Sequence, residues 1–141
     1  MKRIASAAWA GGLKDGTGTI SVDSGVLSNT RYRYQSRFEE ASGTNPEELV
    51  AAALAGCFSM SLAAQLEDAG TKAESIRTTA TLSLERISDV YSVTAIRLDT
   101  VADVPGMTQA AFENAVAHAE AVCPISKLLR AKITLTAKLE D

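Results

Sequence analysis

The sequence predicts an α+β domain with a mainly antiparallel sheet. Three short extended segments come first, a long helix and two long strands follow, and a second helical region precedes a final strand. Strands that follow one another directly pair antiparallel, whereas a parallel sheet needs a helical crossover after each strand. At 141 residues the chain has the length of one domain, and we expect a single domain over residues 1–141.

The first two strands are predicted to form a hairpin. Residues 4–9 and 17–22 flank the dipeptide Asp15-Gly16, which favours a tight turn. The next segment, residues 31–38, alternates in character, as a half-buried strand does. One of its faces carries Tyr32, Tyr34, Ser36 and Phe38, and the other carries Arg31, Arg33, Gln35 and Arg37. We therefore predict a third strand over residues 31–38.

A long helix follows the three predicted strands. Its start is marked by residues that favour a first helical turn: Asn45 as N-cap, then Pro46, Glu47 and Glu48. We expect it to run to Ala69 and to stop at Gly70. Residues 49–58 are apolar on every side of this helix, which requires burial on every side. One chain of this length has little material for that, so a second copy is expected to cover the helix.

The second half of the chain continues with two long strands, residues 74–87 and 90–103, joined at Ser88-Asp89. A second helix is predicted from Thr108, with its core stripe formed by Phe112, Ala115, Val116, Ala119 and Cys123. Pro124 restarts a short helix through residue 129, with Cys123 near its N-cap. Residues 132–139 alternate strictly and form the last predicted strand.

Composition excludes several functional classes. The 14 basic and 17 acidic residues give a net charge of −3, which offers no electrostatic attraction to nucleic acid or to an anionic membrane surface. The longest unbroken apolar run has ten residues, whereas a bilayer span needs about 20. The N-terminus lacks a signal-peptide pattern, so we expect a cytoplasmic protein. Two cysteines and one histidine are too few for a four-ligand zinc site within one chain.

The two cysteines have open roles by position alone. Cys57 lies in apolar helical surroundings, where a thiol is either an inert core residue or a reactive one. Cys123 begins a helix, where partial positive charge lowers the pKa of a thiol. His118 lies five residues before Cys123 and points away from it on a helix, which disfavours a Cys/His hydrolase. Sequence does not show whether the two thiols meet.

Several motifs resemble the OsmC branch of the OsmC/Ohr family. They are Ser36-Arg37-Phe38-Glu39-Glu40, Gly43-Thr44-Asn45-Pro46-Glu47-Glu48-Leu49, Ala53-Leu54-Ala55-Gly56-Cys57-Phe58-Ser59-Met60 and Cys123-Pro124-Ile125-Ser126. The resemblance covers nearly the whole chain and includes both cysteine motifs in order. It implies an OsmC-like fold with two central helices carrying the cysteines, and an intertwined homodimer with active sites at the interface.

The resemblance also implies a function and roles for four residues. It implies a thiol-dependent peroxidase that reduces organic hydroperoxides, and hydrogen peroxide less well, in oxidative or osmotic stress defence. Cys57 is then the peroxidatic cysteine and Cys123 the resolving one; Arg37 is the cation near the thiolate, and Glu47 holds that arginine. No metal, haem or flavin is implied. The reductant is an external dithiol, a role that dihydrolipoyl groups fill in the Ohr branch.

Helix geometry adds an expectation about the dimer. Glu47 and Cys57 are ten residues apart, which is about 15 Å along one helix axis, too far to share a reacting centre. We therefore expect Cys57 to meet Glu47 and Arg37 of the other subunit. The competing hypothesis is a non-catalytic dimeric protein of the same fold that binds a small molecule or senses redox state.

Overall fold

The computed structural model describes residues 1–140, so Asp141, the last residue of the predicted domain, lies outside the described residues. The elements in chain order are β1 (Ala5–Ala10), β2 (Thr17–Val22), β3 (Thr30–Tyr32), α1 (Tyr34–Phe38), α2 (Pro46–Asp68), β4 (Ser75–Ile87), β5 (Val90–Asp103), α3 (Gln109–Val122), α4 (Pro124–Leu128) and β6 (Lys132–Glu140). They fall into two compact units, Met1–Leu49 and the chain from Val50 onward. That both belong to one domain stays a prediction.

The first unit contains an antiparallel sheet in the order β1-β2-β3. The predicted hairpin between β1 and β2 is confirmed, and its turn depends on Gly16. A Cβ at Gly16 would clash with the carbonyl oxygens of Ala10 and Gly12. The rings of Trp9 and Tyr32 lie 5.4 Å apart across Gly18, where a side chain would strike both rings.

The predicted strand over residues 31–38 is wrong beyond Tyr32, because the chain turns there into α1. The hydroxyl of Ser36 accepts a hydrogen bond from the Arg33 N–H at 3.0 Å. That hydroxyl also lies 2.9 Å from the carbonyl oxygens of Arg33 and Thr44, and its single proton is shared between these two acceptors. The Asn45 side chain donates to the Ser36 carbonyl at 3.0 Å. Contacts from residues eight and nine positions away thus override the local alternation.

The second unit contains a mixed sheet in the order β4-β5-β6. The predicted turn at Ser88 and Asp89 is confirmed, and both residues have the positive φ of a type I′ hairpin, 49° and 65°. Strand β6 pairs parallel to β5, because α3 and α4 return the chain to the starting end of β5. Within residues 1–140, three of the four strand pairings are antiparallel, which confirms the mainly antiparallel sheet.

Helix α2 has the predicted caps at both ends. The Asn45 side chain accepts a hydrogen bond from the Glu48 N–H at 2.8 Å, as an N-cap does. Gly70 has a φ of 85° and ends the helix in a Schellman motif, with Thr71 N–H donating to the Leu66 carbonyl at 3.0 Å. The last helical residue is Asp68, one before the predicted end.

The hydrophobic core lies within the second unit. One face of α2 buries Leu54, Phe58, Leu62 and Leu66, and the predicted stripe of α3 is buried as well. The opposite face of α2 is open in the single chain; it consists of Ala52, Ala53, Gly56, Met60 and Ala64. Met60 is 77% exposed. The single chain therefore does not supply the all-round burial that an apolar helix requires.

By length and composition alone, α2 is long and apolar enough to cross a membrane, with a mean hydropathy of 1.8 over the relevant window. The sequence-based argument counted only the unbroken apolar run and was too strict. Core helices of soluble proteins pass the same test, and α2 packs one face into the core. The absence of a membrane partner stays a prediction.

We expect Phe58→Ala to lower the free energy of unfolding by about 3–5 kcal/mol, because it leaves a cavity in a fully buried cluster. Urea unfolding at one fixed protein concentration measures this, since association also affects stability. Val26→Ala is the control: Val26 is 82% exposed, and its truncation should change stability by less than about 0.5 kcal/mol. Equal effects of the two variants would contradict the assignment of Phe58 to the core.

Candidate active site

The two cysteines lie side by side. Cys57 is on α2, Cys123 is the N-cap of α4, and their Sγ atoms are 2.8 Å apart. Both are free thiols. Cys123 has no exposed surface, whereas Cys57 is partly exposed. The structure therefore answers the question that sequence left open, because a disulfide with an S–S bond of about 2.05 Å needs only a small approach of the two sulfurs.

The pKa of the Cys123 thiol is lowered, the direction expected from its position at the start of a helix. Burial, the largest influence, raises the pKa. The neighbouring Cys57 thiol, the Ser126 hydroxyl and the backbone N–H groups of Ser126 and Ile125 lower it and together outweigh burial. These donors favour negative charge on Cys123.

The pKa of the Cys57 thiol is raised. Burial is the largest cause, and the hydrogen bond and charge of Cys123 add to it. The backbone N–H of Ile125 and the Ser61 hydroxyl act in the opposite direction and do not overcome it. Apart from the neighbouring thiol these groups are neutral, so Cys57 keeps its proton until a cation or a base acts on it.

Arg37 and Glu47 form an ion pair in the first unit. Arg37 is in the last turn of α1, and Glu47 is in the first turn of α2, where the helix dipole favours an acid. The Nη2–Oε1 distance is 2.7 Å and the Nε–Oε2 distance is 3.1 Å, so the carboxylate holds one edge of the guanidinium through two of its nitrogens. The Arg37 Nη1 atom makes no hydrogen bond to any of residues 1–140. It is free to face another group.

A cavity lies beside Arg37 in the same unit. Apart from two arginines, its lining is aromatic and aliphatic: Trp9, Leu13, Tyr32, Tyr34 and Phe38. The Arg37 guanidinium lies 4.9 Å from the Phe38 ring centre. This cavity was not identified from the sequence; the available signal was the aromatic alternation of Tyr32, Tyr34 and Phe38 around Arg37.

The four predicted site residues thus form two pairs, Cys57 with Cys123 and Arg37 with Glu47, one in each unit. Sequence reasoning missed the hydroxyls of Ser61 and Ser126 beside the thiols. Leu54 and Phe58, which flank Cys57 on α2, are fully buried in the core. His118 is exposed on α3, as expected. In the part of the chain that the structure describes, no group of three or more His, Cys, Asp or Glu is placed to hold a metal ion.

Comparison with known sequences gives consistent matches. Residues 39–138 match the family described as OsmC-like protein. The chain is 44% identical to peroxiredoxin OsmC of Escherichia coli K12 over 133 residues, which are 94% of this chain and 93% of the relative. Peroxiredoxin OsmC of Shigella flexneri matches equally well.

Solved structures with the same fold come from several bacteria. An OsmC-like protein from Mycoplasma pneumoniae superposes with a TM-score of 0.79 at 16% identity, covering 100% of this chain and 99% of its own. The organic hydroperoxide resistance protein OhrB of Bacillus subtilis superposes with a TM-score of 0.68 at 23% identity, covering 97% and 98%. At these identities the likeness shows the fold alone, and it confirms the predicted OsmC-like α+β fold.

Proposed function

Because this chain belongs to the OsmC-like protein family, we propose that it is a thiol-dependent peroxidase that reduces organic hydroperoxides to alcohols. The contact between the Cys57 and Cys123 sulfurs carries this proposal. The name of the two relatives that are 44% identical, peroxiredoxin, supports it. Defence against oxidative or osmotic stress in the cytoplasm is the matching role.

The proposed reaction uses both thiols. The Cys57 thiolate attacks the O–O bond of the hydroperoxide, the bond breaks, and the alkoxide takes a proton to become the alcohol. Cys57 is left as a sulfenic acid. The sulfur of Cys123, 2.8 Å away, then forms the disulfide and releases water. An external dithiol supplies two electrons to restore both thiols, and a dihydrolipoyl group has the required chemistry.

Accessibility decides which thiol attacks. Cys123 has the lowered pKa, but it has no exposed surface, so a peroxide from solvent cannot reach it. Cys57 is partly exposed. We therefore propose Cys57 as the peroxidatic cysteine and Cys123 as the resolving one. Cys57 then needs help to ionise, because burial and Cys123 raise its pKa.

Arg37 is the proposed source of that help. A thiol of ordinary pKa, about 8.5, is only a few per cent ionised at pH 7, and the raised pKa of Cys57 makes its thiolate fraction smaller still. A guanidinium beside the thiol would increase that fraction, and it would also stabilise charge on the departing oxygen. Glu47 fixes the direction of the guanidinium through two hydrogen bonds and leaves Nη1 available.

A homodimer is the proposed active unit. Glu47 and Cys57 lie on one unbroken helix, ten residues and about 15 Å apart along its axis, so Arg37 and Glu47 are proposed to serve Cys57 of the other copy. The open face of α2, with small residues around Gly56, suits a second helix at close range. The aromatic cavity beside Arg37 suits the apolar part of an organic hydroperoxide better than hydrogen peroxide.

Mass spectrometry after one equivalent of cumene hydroperoxide tests the proposal. We expect one Cys57–Cys123 disulfide per chain, because the two sulfurs are already in contact. We also expect the protein to consume the peroxide continuously at steady state when dithiothreitol is supplied as the reductant. A non-catalytic binding or sensing protein is the alternative; it would form the disulfide without sustained consumption. Absence of turnover with dithiothreitol and with dihydrolipoamide would overturn the peroxidase.

A further inference from the structure

The two sulfurs of the proposed site differ in how a reductant can reach them. Cys123 is 0% exposed, while Cys57 keeps part of its surface. Thiol–disulfide exchange requires in-line approach of a thiolate to one of the two sulfurs. The difference in exposure therefore bears on the second half of the catalytic cycle, which the oxidation steps do not address.

A second observation concerns Ser126, three residues after Cys123 on α4. Its hydroxyl oxygen is buried and makes no hydrogen bond of good geometry within the described residues. A buried hydroxyl without a partner is destabilising, and such a group calls for an explanation. The group that this hydroxyl acts on is the Cys123 sulfur.

We propose that reduction of the Cys57–Cys123 disulfide runs in one direction: the reductant attacks Cys57, Cys123 departs as a thiolate, and the Ser126 hydroxyl stabilises the departing sulfur. This inference rests on the proposed function, because it concerns the disulfide that the peroxidase forms. It assigns Ser126 a part in the reaction and limits the reductant to a thiol that fits the access to Cys57.

The step balances as an ordinary exchange. The reductant thiolate forms a bond to the Cys57 sulfur as the S–S bond breaks, and the electron pair of that bond goes to Cys123. The second thiol of the reductant then attacks the reductant's own sulfur in the mixed disulfide, forms the cyclic disulfide and releases Cys57 as a thiolate. Protons from solvent restore the thiols.

The surroundings of Cys123 suit a leaving group. A sulfur that leaves with a lower pKa leaves faster. The backbone N–H groups of Ile125 and Ser126 lower the pKa of the Cys123 thiol, and no side-chain substitution removes them. The Ser126 hydroxyl is the one donor of this set, apart from Cys57, that a substitution can delete. Its unpaired state in the reduced protein leaves its proton ready for the thiolate.

The first test measures the rate at which dithiothreitol reduces the disulfide, prepared with diamide so that peroxidase turnover is not needed. We expect Ser126→Ala to slow this reduction about three- to tenfold through the raised pKa of the leaving thiol. Ser126→Thr keeps a hydroxyl and should restore most of the rate. Ser24→Ala, an exposed serine in the first unit, is the matched control. Equal rates for Ser126→Ala and wild type would overturn the role of Ser126.

The second test finds which sulfur is attacked. The diamide-oxidised protein is mixed briefly with 2-mercaptoethanol, quenched with acid and digested, and the mixed disulfide is located by mass spectrometry. We expect the adduct on Cys57. An adduct on Cys123, or equal adducts on both, would overturn the direction. Both outcomes are independent of the proposed function, which is tested by peroxide consumption.

Discussion

Replacing Cys57 by serine should reduce hydroperoxide consumption with dithiothreitol by at least about 1,000-fold, because a serine hydroxyl is not ionised near neutral pH and does not replace a thiolate nucleophile. The fold should survive, since Cys57 is only partly buried and serine is nearly isosteric. Circular dichroism and the urea midpoint check this. Consumption is measured with cumene hydroperoxide under steady-state conditions.

Cys123→Ser provides the contrast to Cys57→Ser. Without added dithiol it should consume one equivalent of peroxide and stop at the sulfenic acid, because Cys57 then lacks its partner sulfur and no other thiol is supplied. Dimedone labelling should find that sulfenic acid on Cys57. If Cys57→Ser instead consumed one equivalent and carried the label on Cys123, the two roles would be reversed.

Replacing Arg37 by alanine should lower kcat/KM for the hydroperoxide by about 100-fold or more, the scale on which loss of one electrostatic donor acts on a developing oxyanion. Arg37→Lys should recover little, because a lysine ammonium cannot hold the two-point contact with Glu47 while facing another group. Glu47→Gln should fall between wild type and Arg37→Ala, since it frees the guanidinium without removing it.

Mixing variants tests whether Arg37 serves the other copy. Dimers assembled from equal amounts of Cys57→Ser and Arg37→Ala chains should regain roughly a quarter of wild-type activity, since half of the dimers are mixed and each has one intact site of two. Cys57→Ser mixed with Cys123→Ser is the matched control. Cys57 and Cys123 of each site come from the same chain, and every chain in this mixture lacks one of them, so no recovery is expected. No recovery in the first mixture would place Arg37 and Cys57 in the same subunit.

Local sequence signals predicted most of the fold. The turn at Ser88-Asp89, the N-cap Asn45 and the stop at Gly70 each act through neighbouring residues, and all three are confirmed. The prediction of a strand beyond Tyr32 was wrong because Ser36 forms hydrogen bonds with Thr44 and Asn45, which no local pattern shows. The parallel pairing of β6 was missed for the same reason, since sheet partners are chosen at a distance.

Local sequence signals likewise predicted some features of the candidate site and not others. The position of Cys123 at a helix start predicted the direction of its pKa shift. Its contact with Cys57 needed the packing of two helices on one sheet, and 66 residues separate the two cysteines in sequence. The part played by Ser126 depends on where one hydroxyl is buried, which its place in the Cys-Pro-Ile-Ser motif does not reveal.

The short distance between the two sulfurs has a consequence for damage. Where the second cysteine lies far from the first, the sulfenic acid persists until the two meet, and a second peroxide can meanwhile oxidise it to the sulfinic acid. Here the Cys123 sulfur is already in contact with the Cys57 sulfur, so disulfide formation needs no unfolding. The reaction is faster because the two reacting atoms are already held together. The protein should therefore tolerate bursts of peroxide, with the supply of reductant rather than loss of its thiols setting the limit.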